Sequence, residues 1–245
     1  MTTEIRTAPA TRCERCGHLP ATTDKFCAEC GNFLRDAWLD HRLLLAMAHQ
    51  QEGRVRESQQ ELERLIAADP DNVPANHELG TFYFHLGMLE RAIECYGKAT
   101  RLAPRFILAH YDLGVALYHR GNMREAEMSF RRCLDIDPNY NAAHYRLALS
   151  LFHQGMLEEA LTHFERAMLL TPEYLMAHYH MGVIHERRGE LDLAAREFEK
   201  SLDDGIDEAS SLYHLALIRR QKGDDKGADD LLRRAREFGA ARVNR

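Results

Sequence analysis

Apolar and small residues return at helical spacing along most of the chain, in short stretches separated by polar or glycine-containing joints. Residues 73–106 show the pattern well. Asn76, Leu79, Gly80 and Tyr83 share one helical face, and Ala92, Tyr96 and Ala99 share a second. Gly87 stands between them and accepts the left-handed conformation that ends a helix. Pro104 cannot continue a helix interior and closes the stretch. The small residues Gly80 and Ala92 are expected to bring the two backbones close, with Leu79 and Tyr96 filling the space around them.

This helix pair repeats. Pro70, Pro104, Pro138 and Pro172 are each 34 residues apart, as are Gly53, Gly87, Gly121, Gly155, Gly189 and Gly223. A small-residue column, Ser58, Ala92, Ala126, Ala160, Ala194 and Ala228, keeps the same period. Three columns in one register predict an all-α solenoid over 39–242, in units 39–72, 73–106, 107–140, 141–174, 175–208 and 209–242. The end units are the irregular ones, as expected where one face has no neighbour to bury it. Arg42 replaces an aromatic residue in the first, with Trp38 just before it, and the second helix of the last is polar. The unit 175–208 has Ile206 in the proline position and is expected to end its helix at Asp204-Gly205.

The unit resembles the tetratricopeptide repeat (TPR), an aromatic residue, Leu-Gly and Tyr followed by Ala, Phe and Pro. Here it reads Asn76-x2-Leu79-Gly80-x2-Tyr83, His110-x2-Leu113-Gly114-x2-Leu117 and His144-x2-Leu147-Ala148-x2-Leu151. The second helices carry Ala126-x3-Phe130, Ala160-x3-Phe164 and Ala194-x3-Phe198. The resemblance implies a right-handed superhelical solenoid whose first helices line a concave, partner-binding surface. On that face it places His77, Tyr111, Tyr145, Tyr179 and Tyr213, and further along Phe84, Tyr118 and Phe152 beside His85, His119 and His153. Amphipathic rings suit a binding surface; the alternative is that they stack on neighbouring repeats and stiffen the superhelix. The Lys, Asn and Arg clamp with which chaperone-binding TPR domains hold a terminal carboxylate is replaced by residues such as Tyr111, Val115, Tyr145 and Leu149.

Four of the six cysteines fall in 13–30, as Cys13-x2-Cys16-Gly17 and Phe26-Cys27-x2-Cys30-Gly31. Two CxxC pairs place four thiolates around one tetrahedral Zn²⁺, and the following glycines turn the backbone so that amides face the sulfurs. The doubled CxxCG resembles short bacterial zinc ribbons, so Cys13, Cys16, Cys27 and Cys30 are expected to hold one structural zinc within 11–36, after a disordered 1–10. Four thiolates leave no open coordination position for catalysis. The segment 11–36 holds four basic and four acidic residues; a dication and four thiolates leave it negative, which argues against phosphate binding.

The remaining signals narrow the class. A net charge of −6 lacks a nucleic-acid footprint. The opening residues 1–6 have no apolar signal stretch, no run is long enough to span a bilayer, and a cytoplasmic protein is expected. His110, His144 and His178 recur with the period. Helix axes pack about 8–10 Å apart with a second-helix layer between equivalent first helices, so a packing role is expected and not a shared ion. Cys133 is expected in the core and Cys95 partly exposed, neither with an activating motif. The expectation is a non-enzymatic scaffold or adaptor that binds a protein or peptide, with the zinc module as a second docking element. The alternative is a nucleic-acid-associated regulator acting through the ribbon. Exposed solenoid ends leave self-association open.

Overall fold

The computed structural model describes residues 12–13, 17–19, 27, 41–171, 176–203 and 208–243. The expected disordered start, Cys16, Cys30, most of 11–36, Pro172 and the Asp204-Gly205 helix end lie outside them. The described residues form twelve α-helices and no strand. In chain order these are α1 (His41–Gln51), α2 (Val55–Ala68), α3 (Val73–His85), α4 (Leu89–Leu102), α5 (Ile107–Arg120) and α6 (Met123–Ile136). They continue with α7 (Asn141–His153), α8 (Leu157–Leu170), α9 (Met176–Arg187), α10 (Leu191–Asp203), α11 (Glu208–Gln221) and α12 (Asp225–Val243).

Each joint between a first and a second helix is built the same way. At Gly121 the backbone turns left-handed, with φ +92°, and the Asn122 amide donates to the Leu117 carbonyl at 2.9 Å. The same six-residue closure runs from Arg54 to His49, Met88 to Tyr83, Met156 to Leu151, Glu190 to His185 and Asp224 to Arg219. A Cβ on Gly121 would meet nothing within 4 Å, so the positive φ and not crowding selects glycine there. Second helices end differently. Asp69, Ala103 and Asp137 turn to extended backbone before their prolines, each still donating to the carbonyl four residues back.

The glycine inside the first helix has a different cause. A Cβ on Gly80 would lie 2.7 Å from the Tyr96 ring, one on Gly114 2.6 Å from Phe130, and one on Gly182 2.8 Å from Phe198. The missing side chain therefore seats the aromatic ring of the second helix; that ring, and not the Ala92 backbone, occupies the space over Gly80. Tyr96, Phe130, Phe164 and Phe198 are all fully buried.

Contacts divide the chain into two compact bodies, residues 1–143 and 144–245. In the first, α1 packs on α2, α3 on α4 and α5 on α6, and α2–α3 and α4–α5 join the pairs. Its core gathers Leu43, Leu62, Leu79, Phe82, Ala92 and Tyr96, with a second cluster of Val73, Ala99, Ala103, Phe106 and Ala109 between α4 and α5. In the second body α9 packs on α10, α10 on α11 and α11 on α12, around Ala194, Phe198, Leu212, Leu215, Ile218 and Ala228. No helix among the described residues is long and apolar enough to cross a membrane.

Candidate partner-binding surface

The first helices carry the expected aromatic column, but its members differ in exposure. In the first body His77 is only 8% exposed, its ring 5.5 Å from that of Tyr96 and 5.0 Å from that of Phe106. Its Nε2 lies 2.7 Å from Asp112 Oδ2 on the next first helix, and its Nδ1 faces Glu78 at 3.6 Å. Burial works against a charged ring, but the bond to Asp112, backed by Glu78, outweighs it and raises the pKa to about 9. His77 therefore clamps two repeats together and offers no face to a partner, which corrects its expected place in the groove. Tyr111 does keep part of its ring open while resting against Phe130 at 5.9 Å and Tyr140 at 5.6 Å.

In the second body Tyr145 and Tyr179 are half-buried and Tyr213 is 50% exposed. Tyr145 leans on Phe164 at 5.7 Å, and Tyr179 on Phe198 at 5.9 Å. The further row behaves likewise. Phe84 is half-buried with exposed His119 edge-on at 5.6 Å, and half-buried Tyr118 also meets His119 at 5.8 Å. Phe152 has the Arg187 guanidinium over its ring at 4.6 Å, while His85 and His153 stand exposed. Stacking and partial exposure thus coexist: these rings pack on neighbours within their own body and stay partly accessible.

The position directly after the tyrosine was missed at the sequence level. His180 stacks on Phe164 at 5.3 Å and 5°, and His214 on Phe198 at 4.8 Å and 10°. Both reach back 35 residues, His180 to Tyr145 at 6.4 Å and His214 to Tyr179 at 5.8 Å, as Asp112 does to His77. Glu186 accepts from His214 Nδ1 at 2.8 Å. Burial, with His153 nearby, lowers the His180 pKa to about 4, so its ring packs neutral. The column Glu78, Asp112, Arg146, His180, His214 has no apolar member and reads as a solvated face. Only the contact across 35 residues reveals a wedge between repeats.

Of the other periodic histidines, His144 and His178 bond within their own units and His110 reaches the end of the unit before it. His110 Nε2 lies 3.0 Å from the Pro104 carbonyl, His144 Nδ1 2.9 Å from His163 Nδ1, and His178 Nδ1 2.6 Å from Glu197. Burial pushes the Cys133 thiol up to about 12 and the half-exposed Cys95 thiol to about 11, so neither is a nucleophile near neutral pH.

Of the four cysteines read as metal ligands, Cys13 and Cys27 are described. Both are buried, at 3% and 0% exposure. The Gly17 amide donates to the Cys13 carbonyl at 2.8 Å, the Cys13 amide to the His18 carbonyl at 2.8 Å, and Gly17 has φ +73°. This tight left-handed turn is the one that the Cys-x2-Cys-Gly spacing calls for. Thiols withdrawn from water at such a turn fit a metal-thiolate donor set.

Comparison with known proteins adds the following. Tetratricopeptide-repeat family models match residues 42–72, 61–94, 107–140 and 142–174, and a TPR-repeat model matches 80–121. No curated protein matches the chain. Among solved structures, that of MamA is 25% identical with a TM-score of 0.63, covering 67% of this chain and 96% of its own. PilF of Pseudomonas aeruginosa is 20% identical with a TM-score of 0.67, covering 84% of this chain and 99% of its own. YrrB, titled a TPR protein with an unusual peptide-binding site, is 21% identical with a TM-score of 0.61, covering 71% and 90%. With consecutive repeats matched from residue 42 to 174 and the helix pairs continuing to Val243, the chain belongs to the tetratricopeptide-repeat family.

Proposed function

We propose that the chain is a protein-interaction scaffold that receives a partner segment against the first-helix aromatic rows. The observation that carries this is the partial exposure of Tyr111, Tyr145 and Tyr179 in fixed orientations, each resting on Phe130, Phe164 or Phe198 and held further by Tyr140, His180 or His214. A ring held in one orientation loses little entropy on binding. Phe84, Tyr118, His85 and His119 in the first body, and Phe152 and His153 in the second, add further aromatic rings, which suits a segment with apolar side chains. The peptide-binding site of YrrB agrees with this reading. The N-terminal Cys13, Cys16, Cys27 and Cys30 would hold one structural Zn²⁺ and form a second docking element. Metal-held thiolates would suit a reducing compartment such as the cytoplasm. The role is binding and not catalysis.

The test replaces Tyr111, Tyr145 and Tyr179 together by Ala and compares partner capture and thermal stability with a Phe130, Phe164 and Phe198 triple variant. Hot-spot aromatics are worth about 2 kcal/mol or more each, so the tyrosine variant should lose its partners while still melting cooperatively. Truncating buried rings costs about 3–5 kcal/mol each, so the phenylalanine variant should unfold. A tyrosine variant that keeps every partner while melting like the phenylalanine variant would make the rows purely structural.

A further inference from the structure

The inter-repeat joint has an unfilled copy at one end of the chain and a matching unused face at the other. Inside the second body α11 seats on the pair before it through two contacts. His214 lies on Phe198 and edge-on to Tyr179, and Ser211 meets Ser201 at 3.0 Å, both fully buried. Advancing one period puts Tyr213, Leu232 and Ala235 in the places of Tyr179, Phe198 and Ser201. There they line an open cleft of about 420 Å³, shared with Ser210, His214 and Arg236. The cleft is in register with the place where the following first helix seats on the earlier unit.

The complementary face is on α1. His41, Leu44, Met47 and Ala48 are exposed, and their spacing of three, three and one residues places them on one side of the helix. The residues in the same register later in the chain are covered by the preceding repeat. Those of His41 are Ala75, Ala109, Ala177 and Ser211, and those of Ala48 are Phe82, Ala116, Ile184 and Ile218, all buried. Leu44 occupies the register of His180 and His214, the residues that wedge against the previous aromatic ring. A terminal repeat facing water calls for a polar residue there. Every internal member of that column is polar, yet the terminal one is Leu44, 44% exposed.

We infer that two copies of this chain join head to tail, the α1 face of one entering the α11–α12 cleft of the next, with Leu44 over Leu232 beside Tyr213. The contact continues the repeat interface already present within each chain. Because the two surfaces differ, it is heterologous, and one contact between two copies leaves one surface of each kind for a further copy. Association therefore grows with concentration.

Sedimentation velocity of the full-length protein over a concentration series tests this. The wild type should form species beyond the dimer. Leu44→Glu and Leu232→Glu should each remain monomeric, with association weakened at least 30-fold and unchanged helical circular dichroism. An equimolar mixture of the two variants should give a dimer and nothing larger, since each supplies one intact end. Three results overturn the inference: a wild type that stays monomeric up to its solubility limit, oligomers that survive Leu44→Glu, or a Leu44→Glu chain that melts below the wild type at a concentration where both are monomeric. The last would mean that another part of the same chain covers α1.

Discussion

At the scale of single residues, His77 in the first body and His180 in the second respond to pH in opposite directions. His77 has its folded pKa raised to about 9 from 6.5. Its contribution is complete below about pH 6.5 and is lost as the pH rises through 9. The difference converts to roughly 3 kcal/mol at full extent. His180 is the reverse, lowered to about 4, so its contribution is present above pH 6.5 and is lost as the pH falls toward 4. Urea unfolding across pH 4 to 9.5 should therefore show greatest stability near 6.5. His77→Asn should flatten the alkaline limb and leave the acid limb in place; an alkaline limb unchanged by that substitution refutes the ion-pair account. The tyrosine column alone did not make His77 legible as a clamp. Tyrosine and histidine both read as amphipathic rings, and Asp112 lies in a different column of the next repeat.

At the scale of elements, the glycine columns were legible but covered two different demands. Gly121 and its equivalents are fixed by backbone sign, with open space around them. Gly114 is fixed by the Phe130 ring, which a Cβ would approach to 2.6 Å. At Ala148 the same helix position carries a methyl group opposite Phe164, and both are fully buried, so the ring can be seated over a Cβ when the local packing is built for it. Gly114→Ala should accordingly cost about 1–3 kcal/mol, the usual penalty for overpacking. Chemical denaturation measures it, and a loss below 0.5 kcal/mol would show that Phe130 shifts freely. Helix number and helix ends could be read from proline and glycine because those residues act within one turn. The wedge residues His180 and His214 could not, since a 34-residue alignment pairs like with like and their contacts run across 35.

For the molecule as a whole, the cysteine pairs raise the question of whether module and repeats stand or fall together. One Zn²⁺ per chain is the expected result of metal analysis, and Cys27→Ser should abolish it. Repeats draw stability from their immediate neighbours, so chelation should leave helical circular dichroism almost intact; a collapse would make the module part of the stack. Spacing alone nominates the ligand set, because thiolate geometry is local. The 35-residue reach has a consequence for inheritance. Duplication copies 34 residues, but each first-helix ring meets its partner just past the copied boundary, so gain or loss of a repeat changes the pairings. Excising 175–208 would set Tyr145 beside His214 in place of His180, a like-for-like exchange. Excising 107–140 would set His77 beside Arg146 in place of Asp112, a cation where the ring's carboxylate partner stood. Repeat number is thus free to drift in the second body and is held fixed by charge in the first.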